Sequence, residues 1–231
     1  MPRRTRSKAV AGIYHITHRC HNKEFLFKFS KHRDVYCEKL LEMTKRYSVA
    51  VLDYMITSNH VHLLVSVKNP EAMSKGLRFL HGQVARTCNT MKKREGSFWA
   101  NRFYSTLIQD GEYLGRCLFY IDLNMMRTGT ISHPSEWKHS AYQEFTGNKR
   151  YKKIINFSRL LDNLMIEDLD SFRDWYLKTM ELKLACINTQ RELYWSRAIA
   201  VGNEDWLSQL QGRSKKHSIT RQNHRTGAVL S

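Results

Sequence analysis

Asn59-His60-Val61-His62-Leu63-Leu64-Val65 carries two imidazoles two residues apart inside an apolar run. A β-strand repeats every two residues, so His60 and His62 leave one face, roughly 7 Å apart along the backbone. Val61, Leu63 and Val65 leave the opposite face, where they can enter a core. Two imidazoles on one face of a sheet can hold a divalent ion if a third donor reaches them. The strand therefore needs partner strands, and the histidine pair needs one more group.

The partner strands lie on either side in the sequence. Ile13-Tyr14-His15-Ile16-Thr17 alternates as a strand over about 11–19, and 47–56 supplies a second (Val49, Val51, Leu52, Tyr54, Ile56). The polar turn Thr57-Ser58-Asn59 makes 47–67 read as an antiparallel hairpin. Between the first two strands, Lys31–Arg46 is predicted helical, with Val35, Tyr36, Leu40 and Met43 as its apolar stripe. Asn69 and Pro70 open a second helix running to about Lys93, and Leu77, Leu80, Val84, Cys88 and Met91 form its buried side. A fourth strand spans Arg102–Ile108, and a third helix runs from Asp110 to about Arg127, stopping near Gly129. The order β-α-β-β-α-β-α is that of an α+β, ferredoxin-like or RRM-like antiparallel sheet with one helix added. Two helices cover one face of such a sheet and leave the other for a ligand or for the added helix.

The third helix offers the missing group. Leu114, Cys117, Leu118, Ile121 and Met125 define its apolar side, while Arg116, Tyr120, Asn124 and Arg127 follow one another at steps of three to four. An amide oxygen is an acceptable third ligand for a hard divalent ion, and a phenol beside a bound phosphate can act as a nucleophile. A tyrosine in a helix is more often an ordinary packing residue, so spacing alone leaves both readings open. His15, one strand away from the pair, is read as possible support for the site.

Composition limits the partners. The 231 residues carry a formal net charge of +17, of which residues 1–150 hold +13 and 151–231 hold +4. Such an excess attracts polyanions, nucleic acid first. The five cysteines form no CxxC pair or zinc-like cluster, no apolar run approaches 20 residues, and the basic N-terminus lacks an apolar segment behind it. These features predict free thiols, no membrane span and a reducing, cytoplasmic setting. The domain reading is a basic arm over 1–9, a main domain over 10–148, a helical extension over 149–210 and a basic disordered tail over 211–231.

Asn59-His60-Val61-His62, then Trp99 to Phe103, then Tyr120-Ile121-Asp122-Leu123-Asn124 together resemble the IS200/IS605-type transposases with a single catalytic tyrosine (the HUH, Y1 group). The similarity is greatest to the branch associated with repetitive extragenic palindromes, REP. That branch reads Tyr-Ile-x-x-Asn-Pro-Val-Arg-x-Gly, matched here by Tyr120, Ile121, Asn124, Arg127 and Gly129. Met125-Met126 stands in place of Pro-Val, and Cys20 stands where the opening strand of the family commonly has glycine. The resemblance spans about residues 10–145. It implies His60 and His62 as metal ligands with Asn124 as the third, Tyr120 as nucleophile, and Mg2+ or Mn2+ as cofactor with no nucleotide cofactor. It further implies cleavage and rejoining of single-stranded DNA beside a hairpin through a 5′-phosphotyrosine, in a prokaryotic, nucleoid-associated setting. The active form is a monomer or a homodimer that exchanges the tyrosine helix.

Candidate phosphate contacts are Arg3, Arg4 and Arg6 on the arm, Lys75, Arg78 and Arg86 on the second helix, Lys92, Lys93 and Arg94 at its end, and Arg116. The alternative function is a non-catalytic, RRM-like protein that binds hairpin DNA or RNA, which leaves the histidine pair unexplained. Other HxH enzymes fit poorly: position 64 is Leu where a histidine triad needs His, no second His-x-Thr/Ser repeat occurs, and HExxH is absent.

Overall fold

In a computed structural model, the strand that carries the histidines, His60–Val67, lies between two antiparallel neighbours. The structure describes residues 10–148, 153–186, 190, 192–213, 221–224 and 227–230, with side chains as far as 211. The expected order appears as β1 (Gly12–Arg19), α1 (Ser30–Tyr47), β2 (Ala50–Ile56), β3 (His60–Val67), α2 (Pro70–Met91), β4 (Tyr104–Ile108) and α3 (Glu112–Asp122). The strands lie β2-β3-β1-β4, with β3 and β4 on either side of β1 and β2 on the outer side of β3.

Alternation divides the sheet into two faces. Tyr14, Ile16 and His18 of β1 share a face with Val61, Leu63 and Val65 of β3, and this face receives Tyr36, Leu40, Met43, Leu77, Leu80 and Val84 of α1 and α2. His15 and Thr17 share the other face with His60, His62 and Leu64. There α3 packs, so the added helix occupies the face that two crossover helices leave bare.

Two boundaries differ from expectation for local reasons. Ser48 takes a left-handed backbone (φ 51°) and ends α1 at Tyr47, so β2 starts at Ala50 rather than at 47. The third helix, expected unbroken to Arg127, breaks at Leu123 and resumes as α4 (Asn124–Arg127). The break exposes carbonyls that an intact helix would satisfy, and the Arg127 guanidinium donates to one of them, Tyr120 O. Cys20 is extended (φ −62°, ψ 152°), and the left-handed turn falls instead on Asn22 and Lys23. The five cysteines are free thiols.

The C-terminal residues build onto this unit. They supply α5 (Tyr142–Phe145), α6 (Phe157–Leu164), α7 (Leu169–Ala185), α8 (Tyr194–Arg197), β5 (Ala200–Gly202), α9 (Glu204–Arg213), β6 (Arg221–His224) and β7 (Gly227–Leu230). α7 lies over α3: a Cβ on Gly115 would come within 3.3 Å of the Trp175 ring, and Phe119 stacks on Tyr176. β5 pairs parallel with β4, and β7 and β6 continue the sheet to seven strands. Residues 211–231, expected as a disordered tail, thus include two paired strands; Gly227–Leu230 is apolar and finds an open edge in β5. Residues 1–9 and 214–220 lie outside the described residues. The other edge, β2, is covered as well: Ile56 N donates to His139 O, Asn156 N to Val51 O, and Tyr54 O accepts from Ala141 N, each at 2.9 Å. No helix among the described residues is long and apolar enough to cross a membrane.

Two carboxyls are buried where α3 packs on the sheet. A bulge between Val51 and Asp53 shifts the register of β2 and turns Asp53 onto the α3 face, opposite Leu64. Asp53 and Asp122 are fully buried; Tyr176 donates to Asp122 Oδ2 at 2.6 Å, and the three remaining carboxylate oxygens have no partner. Burial, then the charge of Asp122, push Asp53 well above the usual carboxylate range, and burial pushes Asp122 up to about 7. Both carboxyls therefore bind protons more tightly folded than unfolded. Their contribution to stability is complete below about pH 4 and declines as pH rises through the folded-state values. The urea midpoint is expected to fall between about pH 5 and about pH 8, and Asp53→Asn to reduce that fall; an unaltered slope in the variant would remove the pair from the explanation.

Candidate active site

His62 and His15 leave neighbouring strands on the α3 face and are both fully buried. His15 Nε2 lies 2.8 Å from His62 Nδ1, and the rings stack with centroids 5.0 Å apart. His15 Nδ1 lies 2.6 Å from the Trp195 carbonyl. Burial pushes the His15 imidazole down to about 4, against the opposing effect of that carbonyl. His60 is only partly buried; its Nδ1 is 2.7 Å from Asn59 Oδ1 and 2.9 Å from Thr57 Oγ1, and its ring centroid is 4.9 Å from that of His62.

α3 delivers Tyr120, and α4 delivers Asn124. The Tyr120 ring sits edge-on to both His15 and His62, at centroid distances of 6.0 and 6.1 Å. Arg127 lies over the Tyr120 ring at 4.5 Å, and the Trp195 ring is 6.0 Å away. The break at Leu123 sets Asn124 with Nδ2 3.2 Å from His62 Nε2. Two polar atoms in this cluster, Tyr120 Oη and Asn124 Oδ1, are buried with no hydrogen-bond partner among the described residues. At 4% exposure Tyr120 is also enclosed. A phosphate reaches its hydroxyl only when the side chains over it move aside.

His60, His62, Tyr120, Asn124 and His15 therefore converge within one chain. The basic candidates divide. Lys75, Arg78 and Arg86 are exposed on α2, across the sheet from Tyr120, and Lys75 pairs with Glu71 at 2.8 Å. Lys92, Lys93 and Arg94 follow α2 at the end of the sheet that carries His60; Arg94 approaches Glu24 at 3.8 Å. Lys92 and Arg94, with Leu26, Phe29, Lys31, His32 and Met91, line a concavity of about 470 Å³. Arg116 pairs with Glu112 at 4.0 Å and lies 6.0 Å from the Trp195 ring. Arg3, Arg4 and Arg6 lie outside the described residues.

Sequence patterns missed Trp195, the contact of Arg127 with the Tyr120 ring, and the bonds of Thr57 and Asn59 to His60. The last two flank the histidine pair and could have been suspected as its hydrogen-bond partners. Trp195 arrives from a distant segment with no local signal.

The family model described as "Transposase IS200 like" matches residues 8–124. The chain belongs to the IS200-like transposase family. The match covers the four-stranded sheet and α3 and ends at Asn124, the first residue of α4. Among solved structures, a REP-associated tyrosine transposase bound to a REP hairpin superposes with a TM-score of 0.55 at 15% identity, covering 66% of this chain and 89% of that one. A chain described as a transposase from Deinococcus radiodurans R1 gives a TM-score of 0.38 at 12% identity, over 56% of this chain and 98% of that one. No curated protein matches. The first likeness agrees with the IS200-like fold; the helices and strands beyond residue 148 lie outside the family match.

Because the Tyr120 hydroxyl has no hydrogen-bond partner among the described residues, its removal costs no hydrogen bond there. Tyr120→Phe is expected to leave unfolding stability unchanged or raise it by up to about 1 kcal/mol in urea titration. A loss of more than about 2 kcal/mol would mean that the hydroxyl holds the fold together.

Proposed function

We propose that this IS200-like transposase is a metal-dependent transesterase that cleaves and rejoins single-stranded DNA beside a hairpin, with Tyr120 as nucleophile. The observation that carries this reading is the approach of the Tyr120 ring to both His15 and His62 within one chain, its hydroxyl unpartnered. A phenol placed only for packing would pair its hydroxyl or expose it.

The residues present fit a divalent ion. Among the described residues no three of His, Cys, Asp or Glu group as metal ligands. The proposed third donor is instead the amide of Asn124, whose Nδ2 stands 3.2 Å from His62 Nε2 and whose buried Oδ1 has no hydrogen-bond partner among the described residues. His60, His62 and Asn124 would hold Mg2+ or Mn2+; once bound, the ion offsets charge on the scissile phosphate and lowers the barrier to displacement. Tyr120 attacks phosphorus through Oη, forming the 5′-phosphotyrosine and giving up its proton to solvent. The bond from phosphorus to the 3′ oxygen breaks, and that oxygen takes up a proton from solvent and leaves as a 3′-hydroxyl. Attack by another 3′-hydroxyl reverses the step and releases Tyr120, so the phosphodiester energy is conserved without a nucleotide cofactor.

Hairpin DNA is the proposed substrate because a relative of like fold holds a REP hairpin and because the chain carries +17. Lys92, Lys93 and Arg94 are the proposed phosphate contacts nearest His60, with the arm residues Arg3, Arg4 and Arg6 and the α2 residues in support. Tyr120 meets the histidines in its own chain, which favours a site complete in a monomer. A cytoplasmic, nucleoid-associated location belongs to the same reading.

Incubation with labelled hairpin oligonucleotides carrying single-stranded flanks, plus Mg2+ or Mn2+, is expected to give a covalent protein–DNA adduct that Tyr120→Phe abolishes while hairpin binding persists. An adduct that survives in Tyr120→Phe would falsify the assignment, and binding without any adduct would favour a non-catalytic hairpin-binding protein. Alanine at Lys92, Lys93 or Arg94 should weaken binding across sequences and lower the salt slope by about 1 each, as read by fluorescence anisotropy; an unchanged slope removes that residue from the interface.

A further inference from the structure

Both histidines of the pair sit at the end of a hydrogen-bond chain that stops on a backbone carbonyl. A carbonyl only accepts, so proton positions can be counted back from it. For His62 the chain starts at Trp195 O. His15 Nδ1, 2.6 Å away, must carry a proton to bond there. His15 is fully buried, and its two ring nitrogens face a carbonyl and an imidazole, neither of which balances a charge, so the ring is neutral and Nε2 is bare. The 2.8 Å contact then requires the proton on His62 Nδ1, which leaves the lone pair of His62 Nε2 directed to the side of Asn124.

The chain at His60 gives the same result independently. Thr57 spends its hydroxyl proton on His60 O, so its oxygen can only accept from His60 Nδ1. Asn59 donates its amide to Lys23 O, which turns Oδ1 toward the same nitrogen.

We propose that His15 and the Trp195 carbonyl are positioning groups that hold His62 in its Nδ1–H tautomer, with Nε2 bare as a metal ligand. The extension beyond the family-matched residues is thereby part of the metal centre. The inference rests on the proposed metal-binding role of His62. The segment about Trp195 is built to hold this carbonyl still. Glu192 accepts from both Tyr194 Oη (2.8 Å) and Trp195 Nε1 (3.0 Å), and Thr106 donates to Ala198 O (2.8 Å), which anchors the carbonyl from either side.

The tautomer is read directly by long-range 1H–15N correlation of the imidazoles in the full chain at neutral pH, with neither metal nor DNA present. The expected result is a protonated Nδ1 and a bare Nε2 at His62. His15→Phe keeps a ring but removes both nitrogens; His62 should then populate the Nε2–H form, and Mn2+ affinity should fall about 10–100-fold, as for other outer partners of metal-bound histidines. His15→Gln can donate to Trp195 O and accept from His62, and should restore the tautomer and most of the affinity. An Nε2–H tautomer in the unaltered chain overturns the proposal without recourse to any variant. So does a His15→Phe protein that stays folded and keeps both tautomer and affinity. Failure of the unaltered chain to bind Mn2+ while His62 holds the expected tautomer would instead sink the metal reading of the site, and the two failures are thereby told apart.

Discussion

The two-residue period of β3 is the constraint on which both the fold and the site depend. Val61, Leu63 and Val65 are fully buried toward α1 and α2, and this fixes His60 and His62 on the α3 face. A slip of one residue would put imidazoles into the apolar layer and valine beside Tyr120. Burial of the apolar face therefore sets the placement of the histidines, and core formation and site assembly are one event. The pair needs no separate device to aim it, only the local hydrogen bonds that fix each ring.

The tyrosine helix is held differently, by layers on both sides. Beneath it lie His15, His62 and the Asp53–Asp122 pair; above it lies α7, brought close by the absence of a side chain at Gly115. Polar atoms left without partners gather in this layer: Tyr120 Oη, Asn124 Oδ1 and three oxygens of the two aspartates. Such groups lower the stability of the empty fold, and they persist where a ligand or a shared proton can satisfy them.

What was legible in the sequence follows from the range of the interactions. The alternation at 60–67 and the steps from Arg116 to Arg127 are local periodicities, and β3 and the histidine–tyrosine pairing emerge from them as expected. The break at Leu123 was hidden because no proline or glycine marks it; Arg127 satisfies the broken turn from outside. The bulge that aims Asp53 was equally silent, since it inserts one residue into an otherwise ordinary strand pattern. Trp195 could not be foreseen at all: its role depends on a backbone carbonyl, a group that every residue carries, placed by the docking of β5 along β4.

The covering of the β2 edge has a consequence for how copies of this chain behave when crowded. An exposed edge strand offers a row of backbone donors and acceptors to any other strand. Here His139, Ala141 and Asn156 take up part of that row at Ile56, Tyr54 and Val51, and the described residues among them form no regular strand that would present a fresh edge. These bonds leave another copy fewer backbone groups to pair with along β2. Copies of the chain brought close together are thereby less prone to polymerise through this edge.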